Sequence, residues 1–152
     1  AEKIFEQVPY PLLANHIGNE SLFYTSVAYN LMNYSEFVSD EYMSFQYNHH
    51  FEGFILNRIP LMKKLKWRLL ATASVLYGRL SDKNRELLPA EMPDGTPTEP
   101  IGGLERDPYI ELGYGVENIF KVIRVDFFHR LTYLDNPDVD NFGIKISFQF
   151  IL

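Results

Sequence analysis

Hydrophobic and polar positions alternate along the final stretch of the chain, Asn141 to Leu152 (NFGIKISFQFIL). Phe142, Ile144, Ile146, Phe148, Phe150 and Leu152 share one parity, and Gly143, Lys145, Ser147 and Gln149 share the other. A period of two places the first set on one face of a strand and the second set on the opposite face. Four more stretches read the same way. Tyr42 to Phe51 sets Met43, Phe45, Tyr47, His49 and Phe51 against Tyr42, Ser44, Gln46, Asn48, His50 and Glu52. Trp67 to Tyr77 sets Trp67, Leu69, Ala71, Ala73, Val75 and Tyr77 against Arg68, Thr72 and Ser74, with Leu70 and Leu76 as exceptions. Tyr109 to Val116 and Ile123 to Tyr133 complete the group, and a short run at Glu2 to Val8 adds a sixth strand.

These strands have one continuous greasy face and one wet face. Half-buried strands of soluble sandwiches also alternate, usually over fewer residues. An alternating strand of about ten residues is long enough to cross a bilayer at a tilt. Trp67 to Tyr77 carries aromatics at both ends and small aliphatics between, the order expected where two aromatic girdles flank an apolar band. The pattern therefore predicts an all-β, antiparallel transmembrane β-barrel segment, with residues 1–152 as a single segment. Phe45, Tyr47, Trp67, Tyr77, Tyr114, Phe127 and Tyr133 are the expected lipid-facing and girdle residues. Glu52, Arg68, Glu111, Asp126, Arg130 and Lys145 are the expected lumen lining.

The connections alternate in length. Pro9 to Asp40 and Ser81 to Pro108 are long, polar and rich in turn formers, with a short helical turn expected near Ala28 to Met32. Asn57 to Lys66 and Glu117 to Lys121 are shorter, and Leu61 to Leu65 suits one basic amphipathic turn. If the last strand ends on the periplasmic side, the long segments fall outside the cell and the shorter ones in the periplasm, as in bacterial barrels.

Hydrophobic residues at 46% exclude a disordered chain. Mean hydropathy of -0.17 and the lack of any run of about 18 apolar residues argue against a transmembrane helix. Aromatics at 15% are heavy for a soluble domain and suit interfacial girdles. A net charge of -6 without a basic patch argues against nucleic acid. The chain has no Cys, which removes disulfides and thiolate metal sites. It opens at Ala1 in what reads as mid-strand, the expectation for a piece of a longer protein.

Two resemblances bear on this reading. Asn141, Gly143, Ile146, Phe148 and Phe150 resemble the C-terminal assembly signal of bacterial outer-membrane barrels. The segments PYPLL with GNES, LMNYSEFVSDEY, HHFEGFILNRIPLMKKLKWR, YGRLSDKNR and ELGYGVENIFKVIRVDFFHRLTYLD together resemble the C-terminal region of a Bacteroidota outer-membrane family of unknown function. The resemblance implies an N-terminal carboxypeptidase-like regulatory domain followed by a large barrel, of which this chain is the last part. It implies no activity. It implies outer-membrane lipid, further strands or partner chains, and the barrel-assembly machinery as partners. A remoter likeness, in GYGVENIF and the terminal strand, is to the outer-membrane insertase and secretion-pore superfamily.

Candidate chemistry is sparse. His50 and Glu52 share a face and could hold an ion, but His49 points the other way, so lumen hydrogen bonding is the favoured role. Glu111, Asp126, Arg124, Arg130, Arg68 and Lys145 form a mixed-sign set. It reads as salt-bridge filling of a narrow lumen ahead of a selectivity lining. Asp135, Asp138 and Asp140 do not match a calcium-loop register and read as turn residues. No phosphate loop, nucleophile elbow or zinc-protease motif occurs. The expectation is a non-catalytic outer-membrane barrel acting as a pore, an assembly or secretion factor, or a scaffold, without a cofactor. The alternative is a soluble all-β binding module, whose greasy faces would pack together and whose polar faces would meet water.

Overall fold

The computed structural model describes residues 13–51, 56–86, 88, 102–104, 107–136 and 138–148. In chain order the elements are β1 (Ala14–Asn15), β2 (Phe37–Ser39), β3 (Glu41–His50), α1 (Pro60–Leu65), β4 (Arg68–Arg79), α2 (Asp82–Arg85), β5 (Gly102–Gly103), β6 (Tyr109–Ile119), β7 (Ile123–Arg130) and β8 (Phe142–Phe148). The chain is all-β. The strand run at Glu2 to Val8, Glu52 and Phe150 lie outside the described residues.

Five strands form one antiparallel sheet in the order β3-β4-β6-β7-β8. Directly opposed residues share a face, so the register builds rows across the sheet. One polar row runs Gln46, Ser74, Glu111, Arg130, and a second runs His50, Leu70, Gly115, Asp126, Lys145. An apolar row on the other face runs His49, Ala71, Tyr114, Phe127, Ile144. A register shift between Val116 and Ile119 closes the β6–β7 hairpin, where Asn118, Phe120 and Lys121 take positive φ. A small second sheet, β1-β2-β5, lies where the chain enters β3.

Leu13 to Asp40 has no helix at Ala28 to Met32. Those residues form turns, and Tyr29 bridges Gly18 instead. The backbone there pairs across the segment, Tyr29 N–H with the Ile17 carbonyl and the Met32 carbonyl with the Asn19 N–H, while Asn30 and Leu31 donate to Glu111 of β6. Tyr29, Met32 and Phe37 of this segment pack with Leu76, Leu104 and Tyr109 as the main buried cluster. Leu13, Val38 and Leu80 form a smaller one.

The segment therefore covers the polar face of β4, β6, β7 and β8, and the layer between them buries charged groups beside the apolar cluster. Glu111 and Asp126 are 0% exposed. On the opposite face Phe45 is 57% exposed, Tyr114 54% and Phe148 59%.

Candidate functional site: the covered polar face

The polar face carries charges because its strands alternate, and Leu13 to Asp40 supplies partners for Glu111, Arg130 and Lys145. Glu111 accepts hydrogen bonds from the backbone of Asn30 at 3.0 Å, of Leu31 at 3.1 Å and from the Tyr109 hydroxyl at 3.0 Å. Arg130 grips Glu36 with two N–H groups, at 2.6 and 2.9 Å. It also donates to the carbonyls of Leu31, Thr132 and Tyr133. Lys145 donates to the carbonyls of Asn19 at 2.8 Å and Ser21 at 2.6 Å. A buried charge is tolerated only when such bonds replace its water.

Arg124 and Asp126, two residues apart on β7, form a bidentate pair at 2.7 and 2.8 Å. The Arg124 guanidinium lies 4.0 Å from the centre of the Tyr24 ring, which stacks on Phe128. The covering segment is thus fastened at Asn19–Ser21, Tyr24, Asn30–Leu31 and Glu36. At its upstream end His16 meets Ser39 at 3.0 Å and packs edge-on against Tyr42. Burial pushes the His16 pKa down to about 4. Burial likewise raises the Tyr29 hydroxyl to about 12. At the junction with β3, burial of Asp40 opposes ionisation, but hydrogen bonds from Ser81 and Asn84 outweigh it and hold its pKa below the usual value.

Between this segment and the β7–β8 connection lies an open cleft of about 340 Å³, lined by Asn19, Glu20, Asn30, Asn33, Asp138, Asp140 and Lys145 among others. Among the described residues no three His, Asp or Glu side chains gather as metal ligands. His49 contacts Tyr47 at 3.2 Å, and His50 on the other face contacts Glu117 at 3.2 Å.

A family model for the C-terminal domain of a family of unknown function (DUF5686) matches residues 6–88. The chain belongs to this family. No curated protein and no solved structure matches it. The family match takes in the covering segment, β3 and β4, and so one half of the contacts just described. The other half comes from β6, β7 and β8.

Among residues singled out from sequence, Glu111, Asp126, Arg130 and Lys145 come together on the covered face, and Arg68 sits at its edge opposite Glu117. Phe45, Tyr47, Tyr77 and Tyr114 are exposed on the apolar face, with Phe127 half-buried beside them and Trp67 half-buried just before β4. Tyr133 is a correction. Strand β7 stops at Arg130, Tyr133 takes a φ of 54°, and its ring turns onto Phe37 at 5.0 Å, while its hydroxyl donates to the Asp107 carbonyl. It belongs to the interior, because the chain leaves the ladder before the alternation reaches it.

Within the terminal pattern, Gly143 is crossed closely by Leu31, whose Cδ2 lies 2.6 Å from where a Cβ would stand. Ile146 exchanges backbone hydrogen bonds with Leu22 and Tyr24 on the outer edge of β8. Asn141 accepts from the Arg130 backbone, and Phe148 is exposed. Sequence reading missed Glu36, Asn19 and Asn30, because their partners lie 81 to 126 residues away along the chain. No local spacing signals such pairs.

Proposed function

We propose that this chain is part of an integral outer-membrane β-barrel of a Gram-negative bacterium, with a non-catalytic role. The observation that carries the reading is the contrast between the faces: fully covered carboxylates on one face of the sheet and half-exposed Phe and Tyr on the other. In water the exposed face would forfeit roughly 25 cal/mol for each Å² of apolar surface left uncovered. In a bilayer it meets acyl chains. The soluble binding-module alternative needs the opposite arrangement, with greasy faces packed and polar faces wet.

Strand β3 ends the sheet on one side, and on the other the outer edge of β8 is bonded to Leu22 and Tyr24 at Ile146. Unpaired edges in hydrocarbon cost several kcal/mol per group, so further strands complete the barrel, together with outer-membrane lipid and the assembly machinery as partners. The likeness to Bacteroidota proteins with a carboxypeptidase-like regulatory domain fits this arrangement. Of the possible roles, a freely open pore is disfavoured. The face that would line the lumen is filled by Leu13 to Asp40 and its ion pairs are internally satisfied, which supports a plugged barrel acting as an assembly factor or scaffold.

The test is fractionation of the full-length protein from native membranes with and without detergent, alongside gel mobility before and after boiling. Retention in the outer-membrane fraction until detergent is added, with faster mobility unboiled, is expected. Release by salt or carbonate as a monomer overturns the proposal.

A further inference from the structure

One end of the five-stranded sheet differs chemically from the other. The β3–β4 connection with α1 and the β6–β7 hairpin both lie at the end where β3 finishes and β4 begins. The two connections are tied together: the Asn118 side chain donates to the Lys66 carbonyl at 2.7 Å. Lys66 caps α1 in the left-handed conformation, with a φ of 54°, and the positive φ values at Phe120 and Lys121 turn the hairpin tightly.

The result is a rim that presents cations and greasy groups side by side. Lys64, Lys66 and Lys121 are exposed, as are Ile59, Leu65 and Phe120, the last at 83%. Glu117, the carboxylate nearest in sequence to the hairpin tip, is buried and occupied by His50. The opposite end of the sheet mixes signs, exposing the carboxylates of Glu41, Asp82, Asp135 and Asp138 beside Arg79, Lys83 and Arg85. A fully exposed Phe beside a Lys, next to a short helix with an exposed Leu between two Lys, suits the boundary between acyl chains and charged headgroups.

We propose that this rim is a docking surface for anionic phospholipid headgroups. The proposal rests on the barrel reading above. The apolar face of the sheet ends at this rim, so a bilayer covering that face places its headgroups against Lys64, Lys66 and Lys121. Charge complementarity selects anionic over zwitterionic lipid. Ile59, Leu65 and Phe120 enter the upper acyl region and hold the lysines at the phosphate level. A cationic protein partner is excluded by like charge. An acidic protein partner is the competing occupant.

The experiment uses the full-length protein purified in detergent with an equimolar mixture of phosphatidylglycerol and phosphatidylcholine, and measures retained lipid by native mass spectrometry. Wild type should retain phosphatidylglycerol preferentially. Each Lys→Gln change among Lys64, Lys66 and Lys121 should reduce that preference on the order of fivefold, and high salt should reduce it too. Lys83→Gln, at the other end of the sheet, should leave it unchanged. Heat-modifiable mobility is recorded for every variant. Equal retention of the two lipids by a heat-modifiable wild type overturns the rim proposal and leaves the barrel reading standing. Undiminished preference in the triple variant does the same. Loss of heat-modifiable mobility in wild type overturns the barrel reading itself.

Discussion

Arg130 of β7 and Glu36 of the covering segment, 94 residues apart, form a two-point ion pair in which neither side chain is more than 8% exposed. Removing one partner of such a pair leaves a buried charge without compensation, at a cost of about 3–5 kcal/mol. Arg130→Ala should destabilise the folded protein by about that amount in denaturant titrations. The Glu36→Ala, Arg130→Ala double variant should lose less than the sum of the two single changes, since the orphaned charge is gone. Protease cleavage within Leu13 to Asp40 should rise in the single variants. So should conductance in planar bilayers, which the wild type should show only weakly. Free conductance of the wild type would sink the plugged-lumen reading.

Two glycines of the polar face should respond differently to a methyl group. At Gly115 an added Cβ would stand 2.6 Å from the Val125 backbone carbonyl oxygen and 2.7 Å from an Asp126 carboxylate oxygen. At Gly143 the obstacle is the tip of the Leu31 side chain, which can change rotamer. Gly115→Ala should therefore cost about 1–3 kcal/mol and Gly143→Ala clearly less, by thermal or denaturant unfolding. Equal losses would mean that Leu31 is as rigidly held as the backbone.

His16 makes the covering segment sensitive to acid. Its folded pKa is about 4 against 6.5 when free, so between those values the unfolded segment binds a proton that the folded one does not. Stability is full above about pH 6.5 and falls as pH drops toward about 4, by at most about 1.4 kcal/mol per pH unit. Protection of Leu13 to Asp40 from protease should weaken across that window. His16→Gln should flatten the response, and an unchanged acid response in that variant would assign it to another group.

The two faces predict opposite tolerance to charge. Ala73 lies mid-strand on the apolar face, opposite Tyr47 and Leu112, while Gln46 lies on the polar face of the outermost strand and is exposed. Ala73→Arg should cost about 2–4 kcal/mol and lower the membrane-assembled yield. Gln46→Arg should cost well under half as much. Equal effects in a barrel-assembly assay would reverse the assignment of faces.

The strands were legible because alternation is a local property. The five described stretches, the Leu61 to Leu65 turn within α1 and the facing of Phe45, Tyr114, Glu111 and Lys145 follow from a period of two or from short-range composition. Boundaries were less so. Tyr133 carries the parity of β7 yet lies beyond its end, because a left-handed residue and a contact with Phe37 override the pattern. Ala28 to Met32 has helix-compatible residues, but its backbone pairs across the segment with Ile17 and Asn19.

Which side chains share a face follows from pleating and is readable from the chain alone. So is the contrast between a mostly greasy face and one that carries the charges. Which face is covered depends on the folded chain. Glu36, Asn30, Asn19 and Tyr24 reach Arg130, Glu111, Lys145 and Arg124 across long stretches of chain, and each match depends on where the segment crosses the sheet. Burial of a carboxylate is favourable only when its bonding partners arrive together, and the arrangement that brings them together is a property of the folded chain.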